Sequence, residues 1–359
     1  MPKIINDIHL GAVRKGGTTP TSQEHLRDYM FVRFNELLTN GDDLIIAGDL
    51  FDSFEIAPRD WILAYSLISH WCQVNLDHKL FLIAGNHDHS PKGSRASSFE
   101  MLTTVLLNEY DNVVVIDVDE CKLIKNNIWA IAHCSNQDMF DLKLAEVKEY
   151  LSEGDFLILH ANYANGFADQ SDHSLNVKND VAKEFADAGI TLVFAHEHQR
   201  KIAIPHGCRE GCAPVVIMGN QIPSSIADCL GNDAKFFHTI SGSLLTETQF
   251  WSRQDEDGYA ELDWRSLERG FTVNASFIRI TGQASSNEAA EVVDAIHKFR
   301  LKASAFVVSN AVKIEGIVEI DELPETFEAA KKFDVMQFIY DQLDADERKV
   351  IEEIVEELQ

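Results

Sequence analysis

Positive charge is what this chain most lacks. Its 359 residues carry 31 Lys and Arg against 58 Asp and Glu, a formal charge of −27. A molecule this acidic does not attract nucleic acid through its overall field. A phosphate backbone would have to be held by a local basic patch or by bound cations. Cysteine is also scarce. Four of the six, Cys72, Cys121, Cys134 and Cys229, stand singly in apolar surroundings. That argues against a disulfide framework and for a reducing compartment. The other two, Cys208 and Cys212 with His206 beside them, have the spacing of half a metal site; without a second pair, two loop thiols is the simpler reading. No apolar run approaches the ~20 residues that span a bilayer. The first strand-like run starts at Lys3, leaving no room for a signal peptide. A cytoplasmic protein without a membrane partner is therefore expected. Internal repeats and low-complexity tracts are absent as well. The composition is that of a globular chain, with 45% hydrophobic residues, which argues against a disordered or fibrous protein.

Five short apolar runs punctuate the first 200 residues: Lys3–Asn6, Leu44–Ala47, Leu80–Ala84, Phe156–Leu159 and Thr191–Ala195. Each has strand length and β-branched or aromatic content. Helical patterns separate several of them: one from Ser22 to Leu38, one opened by Pro58, and one through Phe99, Leu102 and Leu106. Strands alternating with helices predict an α/β core. Runs apolar throughout predict strands buried on both faces. After Pro205 further strands are expected at Val215–Met218, Phe236–Ile240 and Tyr259–Trp264. Phe277–Thr281, a helix from about Asn287 to Leu301, then Ala305–Val308 and Ala311–Ile314 predict a small strand–helix–strand unit packed on the core. The tail from Asp321 to Gln359 holds 13 acidic and 4 basic residues and fits two amphipathic helices. In the second of these, Asp344 is the N-cap and Glu347 stands at its third position.

The chemistry lies where the runs end. The five runs lead into Asp7-Ile8-His9, Gly48-Asp49-Leu50-Phe51-Asp52, Gly85-Asn86-His87-Asp88, His160 and His196-Glu197-His198. Open α/β sheets bind ligands beyond those ends. Asp and His with one Asn amide suit Mn²⁺, Fe²⁺ or Zn²⁺, and the set is too rich in nitrogen for a Ca²⁺ cage. Asp7 and His9, like His196 and His198, are two residues apart. In an extended segment that spacing puts both side chains on one side. Two metals ~3.5–4 Å apart need a bridging carboxylate, for which Asp49 is the natural candidate.

Taken in order, these motifs resemble those of the calcineurin-like metallophosphoesterases over residues 1 to about 200. The resemblance implies a β-sandwich core flanked by helices and a centre of two divalent cations. Mn²⁺ is the first expectation, with Mg²⁺, Fe²⁺ or Zn²⁺ as alternatives. Asp7, His9, Asp49 and His198 would hold one ion; Asp49, Asn86, His160 and His196 would hold the other. His87 would protonate the leaving oxygen or stabilise the transition state, and Asp88 would support it or a ligand from behind. Three departures stand out. Ala195 replaces a usual glycine, His160 is followed by Ala161-Asn162 rather than glutamine, and Asp52 stands where some relatives have a second catalytic histidine.

Within that superfamily, Gly-Asp-Leu-Phe-Asp and Gly-Asn-His-Asp look like the DNA-repair nucleases of the SbcD type rather than the phosphoprotein phosphatases. Met218–Ser225 resembles the loop after the last ligands in those nucleases, and the unit near 275–315 stands where they carry a DNA-capping domain. The size and paired tail helices resemble a phage recombination nuclease subunit that works with an SMC-like ATPase. The resemblance implies a nuclease domain over 1–265, a capping domain over 266–320 and a helical partner-binding segment over 321–359. In that segment Phe338, Ile339, Leu343, Ile351, Ile354 and Leu358 would form the apolar face, against the alternative that the helices pack on their own domain. A homodimeric DNA exonuclease or endonuclease of a recombination or repair complex is implied. The phage likeness would place it in a host cytoplasm. A phosphatase or nucleotide phosphodiesterase on the same core is the alternative. Arg14, Lys15, Lys92, Arg95, Arg200 and Lys201 flank the ligand loops and are the candidates for contacts to DNA phosphates.

Overall fold

The structure is a computed structural model that describes residues 1–13, 20–38, 41–89, 95–166, 174–255, 258–267 and 275–315. The expected tail helices, and Arg14, Lys15 and Lys92, lie outside the described residues. The chain divides into two units, Met1–Lys313 and Ile314–Gln359, and the two large sheets belong to the first.

The chain opens with β1 (Lys3–Ile5), α1 (Pro20–Leu37), β2 (Leu44–Ala47), α2 (Pro58–Val74), β3 (Leu80–Ile83), α3 (Ser98–Glu109) and β4 (Val113–Ile116). It continues through β5 (Cys121–Lys125), β6 (Ile128–Ile131), α4 (Gln137–Lys148), β7 (Phe156–His160), β8 (Asn162–Tyr163) and β9 (Asn176–Val177). Then come α5 (Asn179–Asp187), β10 (Thr191–Ala195), β11 (Lys201–Ala203), β12 (Val215–Ile217), α6 (Ile226–Leu230), β13 (Ala234–Ser241) and β14 (Leu244–Ser252). The last described elements are β15 (Tyr259–Asp263), α7 (Trp264–Leu267), β16 (Phe277–Thr281), β17 (Gln283–Ala284), α8 (Ala289–Arg300), β18 (Val307–Asn310) and β19 (Lys313–Ile314).

Two six-stranded mixed sheets dominate, ordered β14-β13-β1-β2-β3-β4 and β11-β12-β10-β7-β6-β5. β1 to β4 run parallel in the first, and β12, β10, β7 and β6 run parallel in the second. Side-chain alternation explains why β7 and β10 read as apolar throughout. Phe156, Ile158, Val193 and Ala195 join the core shared with the first sheet, while Leu157, Leu159, Leu192 and Phe194 point to the opposite core with Phe140 and Phe185. A strand buried on both faces has no polar side to show. Parallel pairing within each sheet gathers the C-terminal ends of β1, β2 and β3 at one edge, and those of β7 and β10 likewise. Backbone and side-chain bonds then join the two edges: His133 N–H donates to the Ala84 carbonyl at 2.9 Å, and His160 Nδ1 to the Ala47 carbonyl at 3.2 Å.

A third, smaller layer completes this unit. β15, β16 and β18 form a parallel sheet, backed by Trp264, Val292, Ile296 and Ile280 in a core of its own. Phe277 and Val307 on its other face belong to the main core, with the Phe277 ring 6.3 Å from that of Tyr29. Among the described residues no helix is long and apolar enough to cross a membrane.

Candidate dinuclear metal centre

The loops after β1 and β2 are laid side by side. Asp7 N–H donates to the Gly48 carbonyl, His9 N–H to Asp49, and Leu10 N–H to Leu50, at 3.1, 3.0 and 2.9 Å. The Asp7–His9 segment is not extended, contrary to the expectation from spacing. Asp7, His9, Asp49 and His196 all have left-handed backbone, with φ of 49°, 52°, 50° and 84°. That conformation is costly for residues with a Cβ, and its concentration on four predicted ligands marks a site whose geometry the surrounding fold imposes. Ala195, in contrast, has no positive φ, so alanine serves where a glycine is usual. Glycine is required at two neighbouring positions by close approach. A Cβ on Gly48 would lie 2.0 Å from His160 Nδ1, and one on Gly85 would lie 2.1 Å from Asp49 Oδ1.

All seven predicted ligands converge. Asp7, His9 and His198 form one group of mutually close donor atoms, and Asp49, His160 and His196 form another. Asn86 Oδ1 stands 2.9 Å from both His160 Nε2 and His196 Nδ1. Asp49 reaches to both groups, with Oδ1 3.3 Å from His160 Nε2 and Oδ2 3.8 Å from His9 Nε2. The bridging position assigned to it is thus available geometrically.

Tautomers decide whether cations fit. His160 donates its Nδ1 proton to Ala47, and His198 donates its own to Asp228 Oδ1 at 2.7 Å. In its neutral form each is left with an unprotonated Nε2. His160 Nε2 then faces the Asn86 carbonyl oxygen, and His198 Nε2 faces His9 Nε2 at 3.0 Å. Lone pairs gathered this way in a buried site repel each other unless a proton or a metal cation lies between them. Two nitrogens each ~2.1 Å from one ion, at roughly a right angle, are about 3 Å apart. The donor set therefore fits divalent metal.

Burial and neighbouring charge act in opposition across the cluster. Burial works to raise the Asp49 carboxyl, but the imidazoles of His160, His9 and His87 hold it well below the usual range. Burial works to lower His160, and Asp49 outweighs it to bring that group up to about 9. His196, buried and beside His160, is pushed down to about 4.

His87 belongs to the same pocket. Its backbone N–H donates to Asp49 Oδ1 at 2.9 Å, its Nδ1 donates to the Asp52 carbonyl at 2.6 Å, and its ring meets His9 edge-on at 5.0 Å. Asp52 thus contributes its backbone, orienting His87. Asp88 does not orient the His87 ring. Its carboxylate accepts from the backbone N–H groups of Gly85, Leu50 and Phe51 at 3.0, 3.3 and 3.2 Å, bracing two ligand loops. Burial, and then the Asp49 charge, push Asp88 up to about 7.

Two supporting residues escape a reading of the sequence. Asp228 on α6 accepts from His198 with one oxygen, while the other takes the N–H groups of Ser224 and Ser225 and the Ser224 hydroxyl. The signal for it is the Ser225-x-x-Asp228 spacing of a capping box, which the helix forms. Gln221 accepts from Asn6 N–H at 2.8 Å and donates to Asn6 Oδ1, Gly219 and Phe236, fastening the Asp7 loop to β13. Its Oε1 and Nε2 are both used, but nothing local in sequence pairs residues 215 apart.

Of the proposed phosphate-binding residues, Arg95, Arg200 and Lys201 are described. Arg200 is clamped by both oxygens of Glu247, with Nε 2.8 Å from Oε1, so its charge is already matched. Arg95 pairs with Glu55 at 2.8 Å over the Phe54 ring and stays largely exposed. Lys201 is exposed on β11.

A sequence profile of the calcineurin-like phosphoesterases (Metallophos) matches residues 3–200. No curated protein matches the chain. Among solved structures, the chain is similar to a Staphylococcus aureus protein provisionally assigned as a 5′-nucleotidase, crystallised with alpha-ketoglutarate. The identity is 10% and the TM-score 0.33, over 69% of this chain and 52% of that one. The chain thus spans about half the length of that protein.

Proposed function

Because this chain belongs to the calcineurin-like phosphoesterase family, we propose that it is a dinuclear metal-dependent DNA nuclease, a phosphodiester hydrolase of a recombination or repair complex with an SMC-like ATPase. Membership by itself implies a metal-dependent phosphoester hydrolase; DNA as substrate, Mn²⁺ as metal and the ATPase as partner are the proposal. The observation that carries the reading is the double ligand group joined by Asp49, with His87 held beside it by Asp52. Its placement beside a third layer favours a polymer. β16 of that layer packs against α6, the helix whose Asp228 orients His198, so a substrate long enough to touch the layer would bear on the metal site.

Asp7, His9, Asp49 and His198 would hold one cation, and Asp49, Asn86, His160 and His196 the other. When bound, the pair offsets the charge of the phosphoryl oxygens and lowers the pKa of a water. The protein's own part is positional and protonic. His87 Nδ1–H is committed to the Asp52 carbonyl, which leaves Nε2 to carry a proton to the oxygen that departs as the P–O bond breaks.

The test is incubation of the full chain with Mn²⁺ and labelled linear DNA, beside small phosphodiesters and nucleotides. DNA cleavage is expected, slowed about 10²–10⁴-fold in His87→Ala with two Mn²⁺ still bound. Nucleotide turnover with DNA untouched would transfer the site to a phosphatase or nucleotide phosphodiesterase. Capture of an SMC-like ATPase that is unaffected by removing residues 321–359 would dismiss the tail as its docking segment.

A further inference from the structure

One cluster of metal-binding side chains stands apart from the phosphoester centre. α5 ends at Asp187, and the segment 205–212 between β11 and β12 folds back over the helix. Asn179 at the start of α5 fixes that segment by accepting from His206 N–H at 2.9 Å and donating to its carbonyl at 3.2 Å. Asp187 at the other end accepts from Arg209 N–H at 2.9 Å. Two successive turns, Cys208 N–H to Pro205 and Cys212 N–H to Arg209, then present both thiols to the helix end. The result is a carboxylate oxygen of Asp187 and the sulfurs of Cys208 and Cys212 all within 4.8 Å of one another.

We propose that Asp187, Cys208 and Cys212 form a second, mononuclear site for a thiophilic divalent cation of the Zn²⁺ class. Sequence alone offers only half a site. The fold supplies the third ligand from a helix some twenty residues upstream, whereas His206, the neighbour that suggests a metal, is not part of the group. Two sulfurs and one oxygen select a softer cation than the nitrogen–oxygen centre does. Tetrahedral Zn²⁺ with sulfur at ~2.3 Å places the sulfurs about 3.8 Å apart, so the sulfurs need to close by about 1 Å at most, with a water in the fourth position. Burial and then the hydrogen bond to Cys212 push the Cys208 thiol up to about 11. Thiols ligate as thiolates, so binding the cation releases thiol protons to solvent. Two thiolates and a carboxylate around a dication leave one negative charge, which Lys183, ion-paired to Asp187 at 2.5 Å, balances. The bound ion would fasten the β11–β12 connection to α5, next to β10, the strand that delivers His196.

Cobalt separates this site from the phosphoester centre, because the latter has no sulfur. Metal-stripped, reduced full-length protein is titrated with Co²⁺. A thiolate-to-cobalt charge-transfer absorption that saturates within three equivalents per chain, with the intensity of a single thiolate-bound Co²⁺, is expected. It should vanish in Cys208→Ser/Cys212→Ser with circular dichroism unchanged, and persist in Asp49→Asn. Asp187→Asn should raise the Kd of that band about tenfold or more. No thiolate band in the wild type, a band that survives the double serine change, or an unaltered Kd in Asp187→Asn would overturn the assignment.

Discussion

Asp228 governs how His198 meets a cation. One oxygen fixes the imidazole tautomer, and the other is held by three donors from Ser224 and Ser225, so the carboxylate cannot turn away. Burial works to raise this carboxyl, but the His198 hydrogen bond keeps it far below the ordinary range. Asp228→Ala should therefore weaken Mn²⁺ binding about 10–100-fold, read by calorimetric titration. His87→Ala should leave that affinity unchanged, since His87 is placed outside both ligand sets. A second residue-scale effect concerns acid stability. His238 is fully buried, and burial lowers its pKa below 6.5 despite the facing Glu247 carboxylate at 3.1 Å. The unfolded chain takes up a proton there below pH 6.5 and the folded chain does not, so stability present above that pH is lost as pH falls. In metal-free urea titrations, wild type should lose more stability than His238→Gln between about pH 7.5 and 5.5, by up to about 1.4 kcal/mol per pH unit. Equal slopes would show that His238 protonates alike in both states.

At the scale of elements, the central strands are legible because a strand buried on both faces leaves an unbroken apolar run. β1, β2, β3, β7 and β10 appear where such runs predict them. β5 and β14 do not announce themselves. They are edge strands, largely exposed, and their composition answers to solvent as much as to the core. α5 is nine residues long and presents too few turns for a period to show. The third layer depends on one apolar seam. Phe277 is fully buried between Tyr29 and Phe306. Phe277→Ala should cost about 3–5 kcal/mol, visible as a lower urea midpoint. A loss under about 1 kcal/mol would mean that the layer is held to the sandwich by something else.

For the whole molecule, the balance of charge sets how a polyanion is bound. The chain carries −27 overall, and Arg200, two residues past His198, is already paired with Glu247. On the nuclease reading, DNA association itself should depend on the divalent ions and not only its hydrolysis. Chelation with EDTA should abolish a mobility shift that Ca²⁺ or Mn²⁺ restores, and metal-independent binding of equal strength would locate the DNA on some other, basic surface.

The sequence by itself determined the candidate ligands and their order, because cation chemistry restricts which side chains can stand at each strand end, and that restriction is written residue by residue. It also determined the α/β alternation, which arises from local period. Only the tertiary structure decided that these distant donors converge, that Asp228 backs His198, and that Asp187 meets Cys208 and Cys212. Those outcomes depend on left-handed turns and on contacts between residues far apart in the chain, which no local pattern of hydrophobicity or charge encodes.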